Sequence, residues 1–238
     1  MRNWPTPGVM SARPIASLGE HCGRVAGLAR GVCIALLLAT IALPHAAAAG
    51  DAKAANFFGE AVSVSVRQVA DRVVTSNNNR NRPFLIIDKA NAKLFLFSDQ
   101  GQLRGATGVL LGLARGDDAV AGIGNRKISS IKPAERITPA GRFTASMGHD
   151  IGGRTILWVD YANSIALHRV ITTNPQERRL ERLASASPSE RRISYGCINV
   201  PVAFFEKFVI PAFTGTQGIV YIIPETRPVA ESLFGGST

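Results

Sequence analysis

The chain has 238 residues, 46% of them hydrophobic and 18% charged, which suits one substantial packed domain with a leader and excludes general disorder. Its formal charge of +10 points to an anionic partner (nucleic acid, a membrane surface or an acidic polymer) or to a basic surface that is simply solvated. Zinc-finger spacing, a helix-turn-helix pattern and an RNA-binding aromatic motif are all missing from the sequence, which argues against nucleic acid.

Residues 1–49 read as an export signal. Arg24 and Arg30 flank the apolar run Val32–Leu43, and Ala46–Ala49 offers small residues for a signal peptidase. The run is shorter than the ~20 apolar residues of a comfortable membrane span, so cleavage is expected, with a retained membrane tether as the alternative. The expected destination is the periplasm or cell envelope. Cleavage removes Arg2, Arg13, Arg24, Arg30 and Glu20 and leaves a basic chain. It also removes Cys22 and Cys33, so Cys197 becomes the lone cysteine of the mature protein. A lone cysteine in an exported protein is either a buried filler or a reactive thiol.

Residues 50–82 read as a tether with one short element. Val62, Val66, Val69 and Val73 have helical spacing and predict a helix over Phe57–Val74, although Val62, Val64 and Val66 also alternate like a strand. The polar run Ser76–Arg82 marks a domain boundary, and residues 83–224 form the domain proper. Pro83–Asp88, Lys93–Phe97 and Gln102–Gly112 predict strands separated by short turns, an antiparallel meander of a β-rich sandwich or barrel. A long loop spans Ala114–Arg136. Its Gly122-Ile123-Gly124 lacks the third glycine of a nucleotide fingerprint, and its Asp117-Asp118 pair reads as a solvated turn rather than a cation site.

Thr138-Pro139-Ala140-Gly141-Arg142-Phe143 reads as a turn that launches a strand, Phe143–Met147. His149 follows in the Gly148–Gly153 loop, as a surface histidine or a second candidate base. Strands over Thr155–Asp160 and Asn163–Val170 bring His168 to a strand end. Next comes Ile193-Ser194-Tyr195-Gly196-Cys197-Ile198-Asn199-Val200-Pro201. Gly196 permits a strained turn, neighbouring N–H groups suit an oxyanion, and His168 is the natural base for the Cys197 thiol. A short helix over Val202–Phe208, a closing strand over Gly218–Pro224 and a frayed tail over residues 225–238 complete the chain.

The order of an opening hairpin, Thr-Pro-Ala-Gly-Arg-Phe, Ala-Leu-His and Ser-Tyr-Gly-Cys-Ile-Asn resembles the catalytic domain of the L,D-transpeptidases, the YkuD-type enzymes of the bacterial cell wall, over about Pro83–Pro224. The resemblance implies a mainly β, sandwich-like fold with one or two short helices. It makes Cys197 the nucleophile and His168 its general acid and base, with Ser194, Tyr195, Gly196 and Asn199 framing the thiol and the oxyanion. The implied donor is a tetrapeptide stem of peptidoglycan, cut before its terminal D-alanine. An amine acceptor gives a 3-3 cross-link, and water gives L,D-carboxypeptidase activity. Neither a metal nor another cofactor is implied, and carbapenems are expected to acylate the thiol.

Three departures stand out. Tyr195 replaces the histidine that most members carry. Arg169, not a hydroxyl residue, follows His168, so a backbone carbonyl is expected as third member of the triad. The 28 residues between His168 and Cys197 exceed the usual spacing. The excess, Thr172–Arg192, predicts a helix opened by Asn174-Pro175 with Gln176–Leu183 as its body. Its arginines suggest a basic lid, and Arg169, Arg191 and Arg192 are candidate partners for stem-peptide carboxylates. Tyr195 and this insertion also keep open a non-catalytic wall-binding protein of the same fold.

Overall fold

Side-chain alternation along buried strands builds the core. The computed structural model describes residues 53–235; the expected leader, with Cys22 and Cys33, lies outside them. Among the described residues the strands are β1 (Phe84–Asp88), β2 (Lys93–Phe97), β3 (Leu103–Gly108), β4 (Leu111–Gly112), β5 (Gly141–His149), β6 (Thr155–Asp160), β7 (Ile165–Arg169), β8 (Arg192–Ser194), β9 (Ile198–Val200) and β10 (Gly218–Ile223). The helices are α1 (Val64–Thr75), α2 (Arg179–Ala184), α3 (Val202–Phe204), α4 (Ile210–Phe213) and α5 (Val229–Phe234). The fold is mainly β.

Leu85 and Ile87 of β1, Leu94 and Leu96 of β2, and Val220 and Ile222 of β10 enter one core cluster. Their alternates, including Phe84, Ile86, Phe95, Phe97 and Tyr221, enter a second cluster on the opposite face. The first cluster also contains Leu157, Leu167, Ile198 and Val200, so the far strands curl back over the near ones. α1 covers the second face with Val66, Val69, Ala70, Val73 and Val74.

The larger sheet runs β3-β2-β1-β10-β5-β6-β7-β9. The expected meander holds for β1 to β3, but the sheet as a whole is mixed. β10 enters between β1 and β5, parallel to β1, and β9 lies parallel to β7. Complete burial of all of β10 suits that central position. Paired backbone bonds of 2.9 Å between Leu110 and Asn199 bring the two edges of the sheet together, so the sheet is nearly closed.

The helix predicted over Phe57–Val74 begins only at Val64, because Ser63 caps it by accepting the Val66 N–H. Phe57 instead packs edge-on against Phe97, with ring centroids 5.4 Å apart. The helix after the cysteine is longer than predicted and passes through a π-type turn, Phe205–Val209, between α3 and α4. Pro211 lacks the N–H that would bond the Lys207 carbonyl, which accounts for the slipped ladder.

The tail is corrected for residues 225–235. Glu225 is buried in an ionic cluster, and Leu233 of α5 joins the second core cluster. Asp117 is corrected too. It is buried and accepts a 2.7 Å bond from the Lys89 ammonium, which also donates to the carbonyls of Gly116 and Thr138. No helix among the described residues is long and apolar enough to cross a membrane.

Candidate active site

Tyr195, Gly196 and Cys197 form the short link between β8 and β9. Gly196 has φ near 129°, and a Cβ there would lie 2.7 Å from the Ile137 carbonyl oxygen, so only glycine fits. Two hydroxyls fix the turn. Thr138 Oγ1 donates to the Gly196 carbonyl at 2.8 Å and accepts the Gly112 N–H at 2.8 Å. Ser194 Oγ donates to the Cys197 carbonyl at 2.6 Å and accepts the Gly196 N–H at 3.1 Å. That last bond engages the Gly196 N–H, so of the neighbouring N–H groups expected to suit an oxyanion those of Tyr195 and Cys197 are left.

Parallel pairing of β7 with β9 places His168 opposite Asn199 and Leu167 opposite Ile198. His168 Nδ1 lies 2.7 Å from the Arg169 carbonyl oxygen. A carbonyl only accepts, so the proton sits on Nδ1 and Nε2 carries the lone pair. The His168 ring is thus held by a backbone carbonyl and not by a hydroxyl or carboxylate side chain. Asn199 Nδ2 lies 3.4 Å from His168 Nε2 and 3.4 Å from the Cys197 carbonyl oxygen, while Asn199 Oδ1 accepts from Arg179 Nη1 at 2.6 Å.

The half-buried thiol donates to the Ser164 carbonyl, with Sγ 3.6 Å from the oxygen. Burial raises its pKa, against the smaller opposing effects of the Ala166 N–H and the Arg179 charge. Burial also lowers the pKa of His168; the Arg169 carbonyl opposes this, while the charges of Arg154 and Arg179 reinforce it. Both shifts favour neutral forms, so the resting pair is a thiol and an uncharged imidazole.

Cys197 and His168 line one cavity of about 770 Å³. Its walls are largely apolar, with Ile123, Ile128, Ile131, Ile137, Ile156 and Trp158 among them. Tyr195 is also in the wall, its ring 3.9 Å beneath the Arg136 guanidinium. Among the described residues, no cluster of three or more histidine, cysteine or acidic side chains is placed to hold a metal.

No protein-family model matches the chain, and no curated protein does. Among solved structures, it is similar to the NMR structure of the catalytic domain from E. faecium L,D-transpeptidase. That match covers 60% of this chain and 98% of the other, at 14% identity and a TM-score of 0.36. A likeness at that level assigns no function.

The expected substrate-binding arginines fare differently. Arg169 lines the cavity, but its guanidinium bonds Glu206 and the Thr155 carbonyl. Arg191 and Arg192 are corrected, because neither lines the cavity. Arg191 donates to the carbonyls of Ala92 and Ser185, and Arg192 holds Glu225 and the Lys89 carbonyl. The lid is corrected as well: no residue of 172–192 lines the cavity. Exposed His149 ends β5 and is not among the cavity-lining residues, although the turn that follows it is.

Two contributors escaped the sequence reading. Arg179 reaches the site through Asn199, and its origin in a basic insertion was the only hint. Thr138 was visible as part of a motif, but its grip on Gly196 depends on a contact 58 residues away.

Proposed function

We propose that the chain is an exported L,D-transpeptidase acting on peptidoglycan stem peptides through a Cys197 thioester. The observation that carries this reading is the opening of Cys197 and His168 onto one cavity, with the thiol on a glycine turn clamped by Thr138 and Ser194. The motif resemblance supplies the substrate class.

In the reaction, the thiol leaves the Ser164 carbonyl for His168 Nε2, which takes its proton as sulfur attacks the stem-peptide carbonyl carbon. The N–H groups of Tyr195 and Cys197 receive the oxyanion. When the tetrahedral adduct collapses, the C–N bond breaks and His168 returns the proton to the departing amine of D-alanine. An acceptor amine then attacks the thioester and forms an amide. Its proton passes through His168 back to sulfur, so the enzyme is regenerated without an oxidant or a metal.

Intact mass after incubation with a carbapenem tests the reading. One adduct per chain is expected for the native protein and none for Cys197→Ala. A folded native protein that stays unmodified and releases no D-alanine from a tetrapeptide stem would overturn it. The second reading, a wall-binding protein without activity, is favoured by the resting thiol's bond to Ser164 rather than to His168; detectable D-alanine release would exclude it.

A further inference from the structure

The cavity beside Cys197 is apolar except for a few charged groups, and these are engaged to different degrees. Arg126 is held in a two-pronged pair with Glu135 and also donates to the Ser130 carbonyl. Arg169 bonds Glu206 and the Thr155 carbonyl and stacks on the Phe205 ring. Arg154 is arranged otherwise. It stands in the turn between β5 and β6, where Asp150 Oδ1 accepts its backbone N–H at 2.9 Å and Asp150 Oδ2 accepts its Nε at 2.7 Å.

This double attachment fixes the guanidinium through its inner edge. The terminal nitrogens have no protein acceptor among the described residues, and the side chain is 59% exposed. The same turn supplies Asp150, Ile151, Gly152 and Arg154 to the cavity wall, so the guanidinium borders the space that also holds the thiol. Both oxygens of Asp150 accept from Arg154, so the carboxylate serves to hold the guanidinium. A planar guanidinium held at Nε offers its other nitrogens as a fork, the geometry that matches a carboxylate. Because it is held in place before the ligand arrives, less side-chain freedom is lost on binding.

We propose that Arg154 binds a carboxylate of the peptide donor. This rests on the transpeptidase reading and deepens it by naming the group that selects the substrate. Two carboxylates flanking the bond to be cut can share that chemistry: the one at the C-terminus of the departing residue and, in stems whose third residue is a diamino acid bearing a side-chain carboxylate, the one on that side chain. Arg154 is a binding residue that does not touch the reacting atoms.

The experiment compares three donors on the full protein: a tetrapeptide stem with both carboxylates free, one amidated at the C-terminus, and one amidated on the third residue. Release of the terminal residue is followed for native protein and for Arg154→Gln and Arg154→Lys, with thermal unfolding of each variant as a check on folding. Native protein is expected to discriminate against one of the two amides by about 10- to 100-fold in kcat/KM. With rates compared above the acid limb, where loss of the Arg154 charge leaves the His168 imidazole neutral, Arg154→Gln is expected to lose a similar factor on the free acid, chiefly through KM, and far less on that amide. Arg154→Lys is expected to restore part of it. The amide whose penalty disappears in Arg154→Gln identifies the carboxylate. If native protein turns over the donors and Arg154→Gln keeps both preferences, the proposal is wrong and the transpeptidase reading stands. If folded native protein consumes no donor and forms no thioester, the transpeptidase reading fails and the assignment of Arg154 falls with it.

Discussion

The backbone at Gly196 sits where an added methyl group meets the Ile137 carbonyl oxygen at 2.7 Å and Ile165 Cδ1 at 2.8 Å. Gly196→Ala is therefore expected to cost about 3 kcal/mol in urea unfolding, through strained φ and a clash with backbone, and to abolish carbapenem adduct formation. Thr138→Val keeps the shape but leaves the buried Gly112 N–H and Gly196 carbonyl without the hydroxyl, a loss of about 1–3 kcal/mol by the same measurement. The neutral resting pair also has a pH signature. With the His168 pKa below its ordinary 6.5, the acid limb of kcat/KM should lie below that value, and protonation of the imidazole there removes the base. With the Cys197 pKa raised, alkylation by iodoacetamide should show a midpoint above that of a free cysteine. A midpoint near neutrality would mean a preformed thiolate–imidazolium pair and would contradict the resting state described above.

The insertion between β7 and β8 acts on the site by charge and orientation rather than as a cover. α2 and the turn before it hold their own charges locally: Arg178 pairs with Glu181, and Arg182 donates to the Glu177 and Glu190 carbonyls. Arg179, half-buried beside Glu177, alone among these reaches Asn199, and this fixes the Asn199 amide with its nitrogen toward His168 Nε2. Arg179→Ala should free that amide and remove a positive charge from both partners of the pair. The sign follows directly: loss of the cation raises the His168 pKa, so the acid limb of kcat/KM moves to higher pH, and it raises the Cys197 pKa further. An unchanged pH profile with a merely lower Tm would reduce Arg179 to a structural role.

The ionic cluster behind the turn ties the end of β1, the loop at Asp117 and the segment after β10 to the site. Lys89 after β1 holds Asp117 and the Thr138 carbonyl, Asp117 accepts the Glu225 and Thr226 N–H groups, and Arg192 before the thiol bonds Glu225. Breaking such a buried pair from one side is costly, so Lys89→Met is expected to lower stability by about 3–5 kcal/mol, or Tm by about 10 °C in calorimetry. Burial alone would raise the Asp117 pKa, but the hydrogen bonds from Lys89, Thr226 and the backbone outweigh it and hold the carboxyl far below its usual range. The folded-state pKa is thus depressed. The stabilisation is complete above the unfolded value near ~4 and is lost as pH falls below it. Asp117→Asn should therefore flatten the acid side of the stability curve, which urea titrations at a series of pH values would reveal.

Strand positions, the cysteine, the histidine and the need for glycine between Ser194 and Cys197 were legible in the sequence, because side-chain alternation, turn residues and a nucleophile's immediate neighbours are local properties. Residue type and a strand-end position marked His168 as a base for Cys197, and the resemblance paired the two, but their meeting depends on a parallel register between β7 and β9 that no local pattern encodes. The fate of each arginine lay further out of reach. Arg154, Arg179, Arg191 and Arg192 look alike in sequence, yet one borders the cavity, one orients Asn199 and two brace the scaffold. A long cationic side chain takes its role from whichever acceptors the fold brings within its reach. Sequence by itself therefore determined which thiol and imidazole this chain carries and the turn that presents the thiol; only the tertiary structure decided which charges surround them, because those contacts join segments far apart in the chain.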